Sequence, residues 1–180
     1  MQQVLTGDVV DSAKLSTKEK QELRESMDYL AKNSMGQYEY FIRGDGFQIL
    51  LSKKGLTEAL LIKTYLSFKN NLKVRSSIGV GKIDRLALNL SNSDGEAFLH
   101  SGRGLDDMKS QHQLLSIHTG NENIDQEWHI HAAVIDYLEE HLSQNQSVAL
   151  YWFLKGLTQT QIAEKIGITQ PSVNSRIKSS

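Results

Sequence analysis

The hydrophobic pattern of this 180-residue chain changes from mixed to purely helical near residue 122, and this change limits the fold more than any other feature. Before it, short β-branched apolar segments alternate with amphipathic stretches of helical spacing. After the polar segment 119–126, the apolar residues follow helical spacing. We therefore predict two domains, residues 1–122 and residues 123–180.

The first domain is predicted to follow the order β-α-β-β-α-β-α-β. Ser16 and Glu19 match a capping box at the start of the first helix, and Asp45 lies in the turn of a predicted hairpin. This order favours an α+β fold with helices on one face of a mixed sheet. Strands are predicted at 3–10, 38–52 (a hairpin), 73–84 and 112–120, and helices at 16–33, 56–72 and 94–110 (a loop, then a helix), followed by helices at 127–144, 146–156 and 158–180 with a break at Gly167.

Composition excludes several classes of protein. Hydrophobic residues make up 39% of the chain and charged residues 23%, values of a globular protein, and the net charge of −1 directs it toward neither nucleic acid nor membrane. The chain has no cysteine, which excludes disulfides and thiolate metal sites. No apolar run approaches the roughly 20 residues of a membrane helix. We expect a soluble cytoplasmic protein with no membrane partner.

Two aspartates stand at places where a sheet could bring them together. Asp8 ends the first strand and Asp45 lies in the hairpin turn. Each has an ordinary explanation, because acids often end strands and Asp-Gly is a preferred turn. If the two carboxylates converge, a divalent cation would offset their repulsion, and Mg²⁺ favours such carboxylates together with phosphates. Both interpretations remain open.

Four segments, "TGDVVDS", "IRGDGFQILL", "VRSSIGVG" and "SDGEAF", resemble the SatD family over about the first 110 residues. That family is similar to the palm-like catalytic domain of class III nucleotidyl cyclases and GGDEF-type synthases. The resemblance implies a ferredoxin-like, palm-type fold. It also implies that Asp8, Asp45 and the backbone carbonyl of Val9 bind Mg²⁺ or Mn²⁺, and that a nucleotide, such as a nucleoside triphosphate, is the ligand.

The same resemblance implies further site residues. Arg103 aligns with the arginine with which cyclases neutralise transition-state charge, although it could equally be a surface residue. The expected nucleotide contacts are Gly44, Arg75, Asp94 and Gly95; for Arg75 the alternative is pairing on the sheet, and for Asp94 and Gly95 a turn before a helix. Leu99 replaces the ribose-orienting asparagine of cyclases, which favours ligand binding over turnover.

The segment "QTQIAEKIGITQPSVNSRI" (159–177) resembles the helix-turn-helix of sigma-factor region 4. Ile162 and Val173 would pack between two helices, and Gly167 would form the left-handed turn. The resemblance implies that the second helix enters the DNA major groove. The residues expected at DNA are Thr169, then Gln170, Ser172, Asn174 and Ser175 for bases, and Lys155, Lys165, Arg176 and Lys178 for phosphates, with no separate role assigned to Thr169.

From 155 to 180 there are four basic residues and one acidic residue, Glu164, which gives a local charge of +3. This modest charge predicts weak DNA binding by a monomer, strengthened in a homodimer. The leading hypothesis is a bacterial-type transcriptional regulator in which a cyclase-like domain binds nucleotide and metal, with the helix at 126–143 as the coupling element. The alternatives are an active metal-dependent nucleotidyl cyclase or transferase, and a non-catalytic adaptor whose helical tail binds protein or DNA.

Overall fold

The computed structural model describes residues 1–33, 36–40 and 45–179, without the side chains of Tyr38 and Tyr40. The predicted hairpin residues Ile42, Arg43 and Gly44 lie outside these described residues. Within the described part of the chain, no helix is long and apolar enough to cross a membrane.

The described residues up to 118 contain the predicted elements in the predicted order, with two short strands added. Residues 73–84, predicted as one strand, form two, and the second pairs with a two-residue strand at Asp94–Gly95 to make a separate small sheet. The elements are β1 (Gln2–Val9), α1 (Thr17–Asn33), β2 (Gln37–Tyr40), β3 (Phe47–Leu50), α2 (Gly55–Asn70), β4 (Val74–Gly81), β5 (Ile83–Arg85), β6 (Asp94–Gly95), α3 (Glu96–Gln111) and β7 (Leu115–His118).

The main sheet has the strand order β2-β3-β1-β4-β7. β1 is antiparallel to both β3 and β4, whereas β4 and β7 are parallel and are connected through α3. One face of the sheet carries large apolar residues such as Leu5, Phe47 and Ile78, which form a core with α1 and α2. The packing of α1 and α2 on this face agrees with the amphipathic character predicted for their sequences.

The other face is covered by α3, so the prediction that helices cover only one face is wrong. Gly79 follows Ile78 on β4 and therefore points to the opposite face, where an added Cβ would overlap the backbone of Ala97 and Ser101 on α3. The Ser101 hydroxyl also lies 2.8 Å from that of Thr6 on β1. Small and polar residues on this face let α3 approach the sheet closely, which is why its strands lack an apolar pattern.

Four helices follow the sheet: α4 (Glu122–His141), α5 (Gln144–Leu154), α6 (Gln159–Ile166) and α7 (Gln170–Lys178). α4 begins five residues earlier than predicted, because the Asn121 side chain caps it by accepting the N–H groups of Asn123 and Ile124. The start of α4 coincides with the expected domain boundary near 122, but the main core includes Ala132 of α4 and Tyr151 of α5. The division into two domains stays a prediction.

α5 packs against both parts of the chain. Its Tyr151 is fully buried and contacts the rings of Tyr65 and Phe68 on α2, with ring centroids 5.3 and 5.4 Å apart. The next residue, Trp152, packs against the small core formed by α6 and α7. α5 therefore connects the main core with the small core of α6 and α7, and the coupling role of the helix at 126–143 stays a prediction.

Candidate functional site

Asp8 and Arg75 face each other across the β1–β4 ladder and form a bidentate ion pair. Arg75 Nε donates to Asp8 Oδ1 at 2.7 Å, and Nη2 donates to Oδ2 at 3.2 Å. The side chains are only 15% (Asp8) and 19% (Arg75) exposed, so water screens the pair weakly. The guanidinium thus supplies a positive charge next to the Asp8 carboxylate.

Asp45 lies at the same end of the β1–β3 pair as Asp8. The last pair of this ladder is Gly7 with Phe47. Asp8 comes directly after Gly7 in the chain and Asp45 comes two residues before Phe47, so both lie beyond this last pair. Asp45 is half-buried in a bend, whereas Val9 is buried at the end of β1. Gly44, the fourth expected residue at this end, lies outside the described residues. The sharing of one cation by Asp8 and Asp45 stays a prediction.

At this end the Asp8 carboxylate is paired with Arg75, and the binding of Mg²⁺ or Mn²⁺ there stays a prediction. Two metal ions require several free oxygen ligands, yet both carboxylate oxygens of Asp8 already accept hydrogen bonds from Arg75. Among the described residues, no group of three or more His, Asp or Glu side chains could hold a metal ion. We therefore derive no catalytic step through a metal ion.

The backbone amides at the start of α3 also have partners within the chain. Gly95 N–H donates to the Asp94 carboxylate at 2.8 Å, and Ala97 N–H donates to the Lys82 carbonyl at 3.4 Å. Gly95 has a φ of 138°, and an added Cβ would lie 2.6 Å from the Lys82 carbonyl oxygen. This glycine is required for the close contact between β6 and β5. The expected phosphate contacts of Asp94 and Gly95 stay a prediction.

Arg103 is exposed on α3. Ser101, which contacts Thr6 of the sheet, and the buried Gly104 mark the opposite side of the same helix. Arg103 therefore lies on the side of α3 that faces away from the sheet. Leu99, at the position of the cyclase asparagine, is 47% exposed. The catalytic role of Arg103 stays a prediction.

Replacing Asp8 with asparagine is expected to lower the free energy of unfolding by about 1–3 kcal/mol, because Arg75 then loses a charged partner in a mostly buried position. A carboxylate whose main role was to await a cation would show the opposite sign, since neutralising it relieves repulsion. Urea unfolding in the presence of EDTA measures the difference. Asp11→Asn is the matched control, because its pair with Lys14 is exposed and should change stability little.

The second candidate site is the pair of short helices α6 and α7. Thr158 and Gln161 form the predicted capping box at the start of α6. Gly167 ends that helix with a φ of 70°, which a glycine adopts without strain. Ile162 and Val173 are fully buried between the helices. The two helices, the left-handed glycine and the small core all lie where the sequence predicted them.

A row of amide side chains links α6 and α7. Gln170 Nε2 donates to Gln159 Oε1 of α6, and Gln159 Nε2 donates to Asn174 Oδ1 at 3.3 Å. Gln170 and Asn174 lie one turn apart on the same face of the helix. The exposed candidates on α7 are Gln170, Ser172, Ser175 and Lys178, whereas Asn174 and Arg176 are half-buried.

Thr169 caps α7, because its side chain accepts the N–H of Ser172. Lys155 and Lys165 both lie beside Trp152, with the Lys165 ammonium 4.3 Å from its ring centroid. Burial and the nearby Lys165 charge lower the pKa of Lys155. These two lysines therefore add positive charge near the junction of α5 and α6, and their contacts with phosphates stay predictions.

Sequence reasoning missed two residues of this site. Gln159 links the two predicted base-contacting amides, and Gln146 of α5 donates to the Ser179 carbonyl at 2.6 Å, which fixes the end of α7. The position of Gln159 could have been inferred, because it precedes Ile162 and Ala163 by three and four residues and therefore shares the side of α6 that faces α7. The role of Gln146 requires the tertiary contact between α5 and α7.

No family model matches this sequence, and no curated protein matches it. The chain is similar in structure to a solved bacterial light-regulated adenylyl cyclase, with a TM-score of 0.42 and 13% sequence identity. The similarity covers 64% of this chain and 74% of the cyclase chain. This likeness is distant, and nothing about the function of this chain follows from it. Membership in the SatD family stays a prediction.

Proposed function

We propose that this chain is a DNA-binding regulator in which α7 enters the major groove of duplex DNA. The observation that carries the proposal is the amide row formed by Gln170, Gln159 and Asn174. Glutamine and asparagine can each bind the N6 and N7 edge of adenine with two hydrogen bonds. Because Gln159 is hydrogen-bonded to both Gln170 and Asn174, the side chains of these two residues are oriented before DNA binds, which lowers the entropic cost of binding.

Phosphate contacts supply the remainder of the proposed binding energy. The exposed Lys178 and the half-buried Arg176 lie on the last turn of α7, and Lys155 and Lys165 lie on the adjoining helices. Such contacts position the protein on DNA without reading its sequence. With a local charge of +3, affinity is expected to be weak for one copy and to fall as salt increases.

For the sheet domain, we infer a regulatory role without catalysis. Arg75 is a strong phosphate-binding group whose present partner is Asp8. An anionic ligand such as a nucleotide would compete with Asp8 for the guanidinium. α5 offers a physical connection from the sheet domain to the proposed DNA-binding helices, since it packs against α2 through Tyr151 and against α6 and α7 through Trp152. Calorimetric titration with nucleoside triphosphates, with and without Mg²⁺, checks this role separately.

The experiment for DNA binding is selection of the full chain against random-sequence duplexes, followed by affinity measurements over a salt series. The expected result is enrichment of a short motif and a linear fall of log affinity with log salt. No retention of any duplex at low salt would overturn the proposal. Retention without an enriched motif would restrict α7 to phosphate contacts and overturn base reading.

A further inference from the structure

α4 carries an exposed apolar stripe that no element among the described residues covers. The stripe consists of Ile130, Val134, Tyr137 and Leu138, which are 64%, 53%, 62% and 50% exposed. Their spacing of three and four residues places them on one side of the helix. The opposite side packs inward through the buried Ala132. Four large apolar side chains in a row differ from the isolated exposed residues found on most surfaces, and they mark an interface.

Three residues of the stripe, Ile130, Val134 and Leu138, are arranged symmetrically about Val134. Ile130 and Leu138 lie four residues on either side of it, and Glu127 and His141 lie seven residues on either side. If a second α4 packs antiparallel with the two-fold axis at Val134, Ile130 meets the apolar Leu138 of the other copy. The centre of the contact is then apolar, with Val134 facing Val134, and Tyr137 lies opposite His131 of the other copy.

Charge complementarity favours this arrangement. In the antiparallel pair, Glu127 of one copy meets His141 of the other. Nδ1 of His141 donates to the Tyr137 carbonyl at 2.7 Å, and the protonated imidazole also donates its Nε2–H to the Glu127 carboxylate. A parallel pair would instead place Glu127 against Glu127, and like charges in contact are unfavourable.

We propose that the exposed stripe of α4 binds a second copy of this chain in an antiparallel, two-fold symmetric pair. Four side chains per copy contribute less than the roughly 800 Å² per partner of a typical stable interface. The dimer is therefore expected to form in a concentration-dependent manner. The pairing does not depend on DNA binding.

Because the sequence contains no cysteine, single cysteines can map the pairing without background. Val134→Cys is expected to form a disulfide-linked dimer under mild oxidation, because facing Cβ atoms at the axis come within disulfide reach. Ile130→Cys and Leu138→Cys should each cross-link poorly alone and efficiently when mixed. Leu88→Cys, at a 98% exposed site away from α4, is the control.

Sedimentation over a range of concentrations supplies the non-covalent measurement. Val134→Glu is expected to weaken self-association at least about tenfold, because two carboxylates then meet at the axis. Self-linking of Ile130→Cys and of Leu138→Cys would overturn the antiparallel arrangement. A monomer at all concentrations, with no cross-linking above the Leu88→Cys control, would overturn the second copy as occupant and leave the stripe to another protein. DNA binding is measured separately, so its failure would not affect this result.

Discussion

Replacing Lys63 with methionine is expected to lower the free energy of unfolding by about 3–5 kcal/mol, because it breaks a buried ion pair between α2 and α4. The Lys63 side chain is 2% exposed and pairs with Glu139, while Asp136 Oδ1 lies 3.5 Å from its ammonium. Methionine fills a similar volume but leaves two partly buried carboxylates without a cation. Denaturant unfolding followed by tryptophan fluorescence measures the loss.

The double variant Lys63→Met/Glu139→Gln separates the charge from packing. It removes one unpaired carboxylate while the amide oxygen can still accept the hydrogen bond that Thr64 now donates to Glu139, so we expect recovery of at least half of the lost stability. Lys73→Met is the matched control, because the Lys73 pair with Glu140 is exposed and should contribute little. Equal losses at Lys63 and Lys73, or purely additive losses in the double variant, would show that the buried charge is unimportant.

Replacing Ser175 with glutamate is expected to weaken DNA binding about 100-fold, because a like charge placed in an electrostatic interface costs several kcal/mol. Ser175 is exposed on α7 and faces outward from the small core. The change is therefore expected to leave the fold intact. Affinity is measured by fluorescence anisotropy with the selected duplex at fixed salt.

Ser110→Glu on α3 is the matched control, because it introduces the same charge at an exposed site far along the chain from α7. Two further variants separate the roles of the candidates. Gln170→Ala should cost about 1–3 kcal/mol and relax the preference at one base pair, whereas Lys178→Ala should weaken all duplexes alike and lower the salt slope by about one. Equal affinities of Ser175→Glu and Ser110→Glu would rule out α7 as the contact.

Much of the fold could be predicted from local patterns. The order of the strands and helices follows from periodicity, and the Ser16–Glu19 and Thr158–Gln161 capping boxes mark two helix starts that the structure confirms. The position of α3 could not be predicted in this way. Apolar spacing alone predicts that the side of β4 with Gly79 is exposed to solvent. In the structure this glycine lets α3 pack closely against the strand.

The candidate sites were harder to predict, because they depend on contacts between distant parts of the chain. The pairing of Asp8 with Arg75 spans 67 residues and requires the register of β1 against β4. Lys63 lies on a helix that looked amphipathic, and its burial follows only from Glu139 on α4. Residue spacing within one segment predicts neither the Asp8–Arg75 pair nor the Lys63–Glu139 pair. The α6–α7 pair was predictable because its caps, turn and core all lie within about 20 residues.

The most direct measurement of the central claim is NMR mapping of the full chain during titration with its selected duplex. If α7 binds the major groove, the largest amide shift changes should occur from Thr169 to Lys178, with smaller changes at the start of α6. The side-chain amides of Gln159, Gln170 and Asn174 should shift with them. Changes confined to the sheet or α4, with α7 unaffected in a saturated complex, would contradict DNA recognition by this helix.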